Sequence, residues 1–175
     1  MARNLDESAI VSIQDLPRLR KKYRNKRIVF CTGCFDLTHA GHVLFFEACK
    51  KQGDLLVVCV SDDALMRRYK KDRPILSEQV RLKMVASLKP VDYCFLQPKV
   101  SFASLEHIND WIGDMLAKLK PDVYVINDDA NGIPRRKQMM KEHPDVMMRI
   151  LKRTAPKKFE NISTSGIIEK IRKIA

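Results

Sequence analysis

Five runs in the chain are apolar at nearly every position: RIVFCT (27–32), LLVVCV (55–60), VDYCFL (91–96), DVYVIN (122–127) and VMMRIL (146–151). Runs this short, without polar alternation, predict strands buried on both faces. Between them the apolar spacing changes to a helical period. One helix is predicted over 40–52, and a short one from Ser61 or Asp62 to Tyr69. Ser77 caps another, in which Val80, Met84, Val85 and Leu88 share a face. A long helical pattern covers 101–119, with Trp111 read as core, and Ser163, Thr164 and Ser165 open a last helix running to about Ile171. A further helix over 14–25 lies across the outside. Strands alternating with helices of this length predict a doubly wound α/β fold, a parallel five-stranded sheet covered on both sides. The expected organisation is a single domain over 1–175, with 1–26 a helical extension packed on it.

In such sheets ligands bind beyond the carboxyl ends of the strands, where the topology switches. The first strand runs into CTGCFDLTHAGH, residues 31–42, which combines cysteines, histidines, glycines and an aspartate. Cys31, Cys34, His39 and His42 supply a Cys₂His₂ set. Only four residues separate the two pairs, whereas a zinc finger uses a spacer of roughly twelve or more. A thioredoxin-like reading of Cys31-Thr-Gly-Cys34 needs a helix to open at the second cysteine, and here Phe35 and Asp36 continue a loop. Phosphate chemistry fits better. Gly33 permits a tight turn and close backbone approach to an anion. His39 and His42 project on one side of a helix's first turn, and Gly41 removes a side chain that would crowd a ligand. The helix N-terminus adds unpaired N–H groups and partial positive charge.

Composition sharpens this. The formal charge is +12 over 175 residues, which favours a polyanionic ligand. The basic residues are dispersed and not interleaved with aromatics on a strand, so nucleic acid is the lesser reading. No apolar run approaches the ~20 residues that span a bilayer, and the first residues lack a secretory pattern, so a cytoplasmic location without membrane contact is expected. The cysteines number five; Cys31, Cys49, Cys59 and Cys94 read as small buried hydrophobes.

Gly33-Cys34-Phe35-Asp36 through His39-Ala40-Gly41-His42 resembles the GxFDxxHxGH signature of the cytidylyltransferase-like nucleotidyltransferases, a Rossmann-like superfamily that shares the HIGH motif logic of class I aminoacyl-tRNA synthetases. Asn161 to Ile168, carrying Ser163-Thr164-Ser165, resembles the family's ISTT-type turn, preceded by Arg153-Thr154. Residues 13–96 resemble the adenylyltransferase domain that makes ADP-heptose, including a Lys-x-x-Arg-Pro loop at 70–74. Asn127 to Gly132 is closer to the GDDWEG of glycerol-3-phosphate cytidylyltransferase. Ala130 stands where that pattern has tryptophan, Asn127 where it has glycine, and the spacer after Arg153-Thr154 is longer than usual.

The resemblance implies transfer of a nucleotidyl group from CTP or ATP to a phosphorylated sugar or polyol, releasing pyrophosphate. A phosphate monoester is already a nucleophile at neutral pH, so the protein positions groups and neutralises charge. His39, His42 and Lys70 are then catalytic. Thr32, Gly33, Cys34, Phe35, Gly41, Lys71, Asp128, Asp129, Arg153, Ser163, Thr164 and Ser165 contact the nucleotide. Lys70 bridges the α-phosphate and the acceptor, and Arg81 binds the acceptor or nucleotide. Mg²⁺ rides on the triphosphate, with Asp36 or Asp129 the nearest carboxylates and Asp36 equally a structural loop cap, and the resemblance further suggests a homodimer. A basic nucleic-acid-binding protein, a zinc-stabilised protein and a catalytically silent family member are the alternatives.

Overall fold

The apolar runs form one sheet of five parallel strands: β1 (Ile28–Gly33), β2 (Leu55–Val60), β3 (Tyr93–Leu96), β4 (Val123–Asn127) and β5 (Met147–Leu151), ordered β3-β2-β1-β4-β5. This computed structural model describes residues 9–69, 72–99, 110–152 and 162–174. The chain winds outward from β1 to β3, then returns to the other side of β1 for β4. The switch point therefore lies between β1 and β4, where Cys31 pairs with Val125.

The period of two sorts the strand residues onto two cores. Ile28, Phe30, Val57, Cys59, Tyr93, Phe95, Tyr124 and Ile126 face α1 (Leu16–Lys22) and α5 (Asp110–Leu119). Val29, Cys31, Leu56, Val58, Val60, Cys94, Val123 and Val125 face α2 (Ala40–Lys50) and α4 (Glu78–Ala86). Each large aliphatic side chain so buried stabilises the fold by about 1.5–3 kcal/mol. Leu16 and Leu19 of α1 belong to the first core together with Trp111 of α5, so this early helix is a structural layer as well as an outer one. Residues 9–11 continue along the sheet edge: Ile10 bridges Cys94 in parallel, and Val11 N–H donates to the Cys94 carbonyl at 2.9 Å.

Some elements differ from expectation. In α4 the expected stripe is displaced: Val80 and Met84 are exposed, while Arg81, Leu82, Val85 and Ala86 are buried. The helix turns Arg81 inward because polar acceptors await it there. Helix α6 (Ile133–Met139), continued by a 3₁₀ turn over Met140–Glu142, was not expected from the sequence. Asn131-Gly132 reads as a breaker, yet Gly132 takes φ 73° as the N-cap and Pro134 sits in the first turn, where proline is tolerated. The last strand is half open to solvent, with Met147 and Ile150 exposed. The other helices are α3 (Asp63–Tyr69) and α7 (Thr164–Ile174). Among the described residues no helix is long and apolar enough to cross a membrane.

Candidate active site

Beyond Gly33 the chain takes a constrained path. Phe35 and Leu37 hold φ of 53° and 44°, in the left-handed region, so the tight turn expected at Gly33 is made by non-glycine residues after it. Gly33 serves a different need: a Cβ there would meet the Phe35 ring at 2.7 Å. That ring folds back over the strand end, 4.7 Å from Phe46 and 5.6 Å, edge-on, from His42.

Asp36 fastens this loop to the next. It is only 1% exposed, and its Oδ1 accepts from Leu37 N–H (3.1 Å) and Leu76 N–H (3.0 Å). Its Oδ2 accepts from Ile75 N–H at 2.9 Å, with Arg73 Nη1 3.7 Å away. A carboxylate satisfied by three backbone donors and a guanidinium does not fit a metal ligand, so Asp36 is a loop cap. Among the described residues no group of three His, Cys, Asp or Glu is arranged to hold a metal ion. Cys31 faces the core, where burial pushes its thiol well above the usual range, and it does not join Cys34, His39 and His42 as a thiolate.

His39 is the N-cap of α2, and its Nδ1 accepts from Gly41 N–H at 3.1 Å. His42 Nδ1 accepts from His39 N–H at 3.4 Å. The two rings stack, with centroids 3.9 Å apart and planes 22° off parallel. Because both Nδ1 atoms are acceptors, the hydrogen-bond pattern assigns the proton of each neutral ring to Nε2. The pair is thus a double N–H donor at a helix N-terminus. Gly41 is small for an internal reason: a Cβ would come within 2.9 Å of the His39 ring and 3.3 Å of the Ile162 carbonyl oxygen.

That carbonyl belongs to the second signature. Thr164 Oγ1 donates to the Asp36 carbonyl at 2.9 Å across 128 residues of chain, Ser163 Oγ accepts from Gly166 N–H at 3.1 Å as the cap of α7, and Ser165 Oγ accepts from Arg73 Nη2 at 3.0 Å. The N-termini of α2 and α7 therefore sit side by side at the carboxyl end of β1. Their first-turn amides give the site positive potential without a lysine.

Arg81 is a correction. It is fully buried, and its donors are spent inside the protein: Nε on the Leu76 carbonyl (3.0 Å), Nη1 on Cys34 (2.6 Å), Nη2 on Ser61 and on Asp63 Oδ1 (both 2.7 Å). It pins the loops after β1 and β2 and does not reach a ligand. Thr32 bonds the buried Tyr124 phenol, and Cys34 is half-buried beside its own Arg81-bound carbonyl. Asp128 and Asp129 are exposed in the turn after β4, which the Asp128 N–H to Leu151 carbonyl bond (2.9 Å) holds down. Continuing the β1–β4 register sets that turn beside Gly33. Lys70, Lys71 and Arg153 lie outside the described residues.

Arg73 is the residue that sequence reasoning passed over, although the Lys-x-x-Arg-Pro loop contained it. It bridges Asp36 and Ser165 and borders a groove of about 470 Å³ between Ile75 and α7, with Ile168 and Arg172 on the far wall.

An open parallel sheet with its switch point beside β1, and two helix N-termini converging there, is the place where doubly wound folds hold phosphorylated ligands. The comparisons agree: the cytidylyltransferase-like family model matches residues 30–170, and the chain belongs to the cytidylyltransferase-like family. It is 35% identical over 170 residues to the bifunctional protein HldE of Pseudomonas putida, which covers 95% of this chain but 31% of that protein. The HldE of Helicobacter hepaticus is 34% identical over 168 residues, with the same coverages. The chain thus spans under a third of the length of these curated relatives. Among solved structures, a lipopolysaccharide core biosynthesis protein from Thermoplasma volcanium is similar with a TM-score of 0.58 and 27% identity, covering 75% of this chain and 98% of that one. A pantoate-β-alanine ligase from Francisella tularensis shares the fold at a TM-score of 0.60 and 16% identity, over 94% of this chain and 77% of that one.

Proposed function

We propose that this chain transfers a nucleotidyl group from ATP to the phosphate of a phosphorylated sugar, releasing pyrophosphate. The observation that carries the reading is the docking of α7 on the Asp36 loop, which sets the Ser163–Ser165 turn beside the stacked His39–His42 pair. An acceptor phosphate oxygen attacks the α-phosphorus, a new P–O bond forms, and the bond to the β-phosphate breaks as pyrophosphate leaves. Charge builds on the non-bridging and leaving oxygens. Two Nε2–H donors and two helix N-termini, fixed before the reaction, are the groups that stabilise it. Mg²⁺ enters as part of the triphosphate, and Asp129 is the candidate carboxylate left beside it once Asp36 is assigned to the loop.

The choice of ATP and a sugar rests on the resemblance of residues 13–96 to the ADP-heptose-forming domain. The Asn127–Gly132 turn favours a second reading, CTP with a polyol phosphate. Thermal stabilisation by ATP, CTP, GTP and UTP, each with Mg²⁺, separates them. A triphosphate at ~100 times its Kd adds about 2.7 kcal/mol. A shift with ATP supports the first reading, a shift with CTP alone the second, and none with any triphosphate removes both.

A further inference from the structure

Arg136 breaks a pattern that the other arginines keep. Among the described residues four arginines are not exposed: Arg20, Arg73, Arg81 and Arg136. The first three each face an aspartate, at 3.0 Å for Asp122, 3.7 Å for Asp36 and 2.7 Å for Asp63. Among the described residues no carboxylate lies within ion-pair distance of Arg136. Neutral acceptors hold it instead: Nη1 donates to the Tyr124 phenol, and Nε donates to the Asn131 carbonyl at 3.2 Å.

Its location gives this meaning. Tyr124 is fully buried in β4, and its phenol also bonds Thr32 in β1, so the anchor of Arg136 spans the strand pair that makes the switch point. Burial pushes that phenol above its ordinary range, and it stays neutral, offering an acceptor but no counter-charge. Ile133 and Met139 pack α6 on the α5 side of the sheet. Arg136 therefore approaches the switch point from the face opposite α2 and its histidines. A half-desolvated cation held in place without an anion among the described residues is suited to a bound one.

We propose that Arg136 binds a phosphate oxygen of a substrate at the switch point, from the face opposite His39 and His42. This rests on the phosphoryl-transfer reading above, and either substrate carries the required chemistry.

Arg136→Met keeps the side chain's length without its charge, and Arg136→Lys restores charge without the fork. The measurements are ligand-free melting, affinity for inorganic tripolyphosphate by thermal shift, and KM for each substrate. Arg136→Met is expected to melt within about 4 °C of wild type while losing about tenfold or more in affinity for one phosphate carrier, and Arg136→Lys to recover part of it. Weakened tripolyphosphate binding with a raised triphosphate KM assigns the residue to the nucleotide; a raised acceptor KM alone assigns it to the acceptor. Tripolyphosphate affinity and both KM values within twofold of wild type would overturn the proposal. If the wild type turns over no substrate pair, tripolyphosphate decides alone. Binding that weakens in Arg136→Met keeps the anion site while the transferase reading falls, and unchanged binding ends the proposal too.

Discussion

The two ends of the sheet use charge in opposite ways. At the amino end, aspartates accept the first N–H of the strands. Asp122 takes Ile28 N–H at 2.7 Å and Arg20 at 3.0 Å; Asp92 takes Leu56 N–H at 2.7 Å and Lys50; Asp54 takes Arg27 N–H at 2.7 Å. Each of these carboxylates is answered by a strand N–H, and two of them also by a cation. At the carboxyl end β1 runs into the N-termini of α2 and α7 and a histidine pair. The comparison separates two uses of charge: at one end carboxylates hold strands and helices together, and at the other helix N-termini present backbone N–H groups, the arrangement on which the proposed phosphate chemistry rests.

Arg81 tests this division most severely, because it is a carboxyl-end cation spent wholly on structure. Arg81→Met leaves three carbonyls and Asp63 without their donor. Breaking a buried ion pair from one side costs about 3–5 kcal/mol, so a loss of unfolding free energy of that size is expected in urea denaturation, with turnover per folded molecule also reduced because the Cys34 carbonyl is released. A variant as stable as wild type would mean that the loops after β1 and β2 hold without it.

His42→Ala should separate the two ends most cleanly. Loss of one pre-positioned donor typically costs ~10²–10³ in rate, equal to about 2.7–4 kcal/mol of activation free energy. Its ring accepts a long hydrogen bond from His39 N–H and packs against the His39 and Phe35 rings, so the stability change should stay within about 1.5 kcal/mol. Steady-state turnover beside urea denaturation checks both numbers. Unchanged turnover removes His42 from the chemistry.

Asp122→Ala is the mirror experiment at the other end. Ile28 N–H and Arg20 lose their acceptor, at a cost of about 1–3 kcal/mol, while kcat and both KM values stay within twofold. A selective loss of turnover in the folded fraction would break the comparison, since it would couple the amino end to the site.

The sequence carried much of this, and its omissions have a common cause. The strands were readable because both faces of β1 and β2 are buried, which leaves no polar alternation to confuse the pattern. The histidine pair and the Ser163–Ser165 turn were readable because a helix N-terminus is a local event, written in consecutive residues. Arg81 was assigned to the ligand because its acceptors, Leu76, Cys34, Ser61 and Asp63, come from separate segments that only the folded chain assembles. The same turn inward displaced the expected stripe of α4. Asp36 changed role for a similar reason: two of its donors, Ile75 and Leu76, lie forty residues away. Helix α6 was hidden because Asn-Gly and Pro mark a loop as readily as a helix start.

The smallest effect falls on Asp62, a carboxylate at the carboxyl end that is strained by its charge. It is buried, its Oδ1 accepts Leu65 N–H at 2.6 Å to cap α3, and Glu78 and Asp63 lie close. Burial raises its carboxyl above the ordinary 3.8, with the two neighbouring acids adding to the shift. In the folded protein the proton is therefore held to higher pH than in the unfolded chain. Between the two values the unfolded state binds fewer protons, so this group's contribution makes stability fall as pH rises through that interval. Asp62→Asn retains an oxygen for the Leu65 cap and removes the titration. It should be at least as stable as wild type near neutral pH, with the advantage shrinking as the pH is lowered into the range where wild-type Asp62 is protonated. Melting curves collected across that interval decide the point. A variant less stable than wild type near neutral pH, with the deficit vanishing as the pH is lowered, would show that the cap depends on the charge, which would place Asp62 with the locally answered aspartates of the amino end.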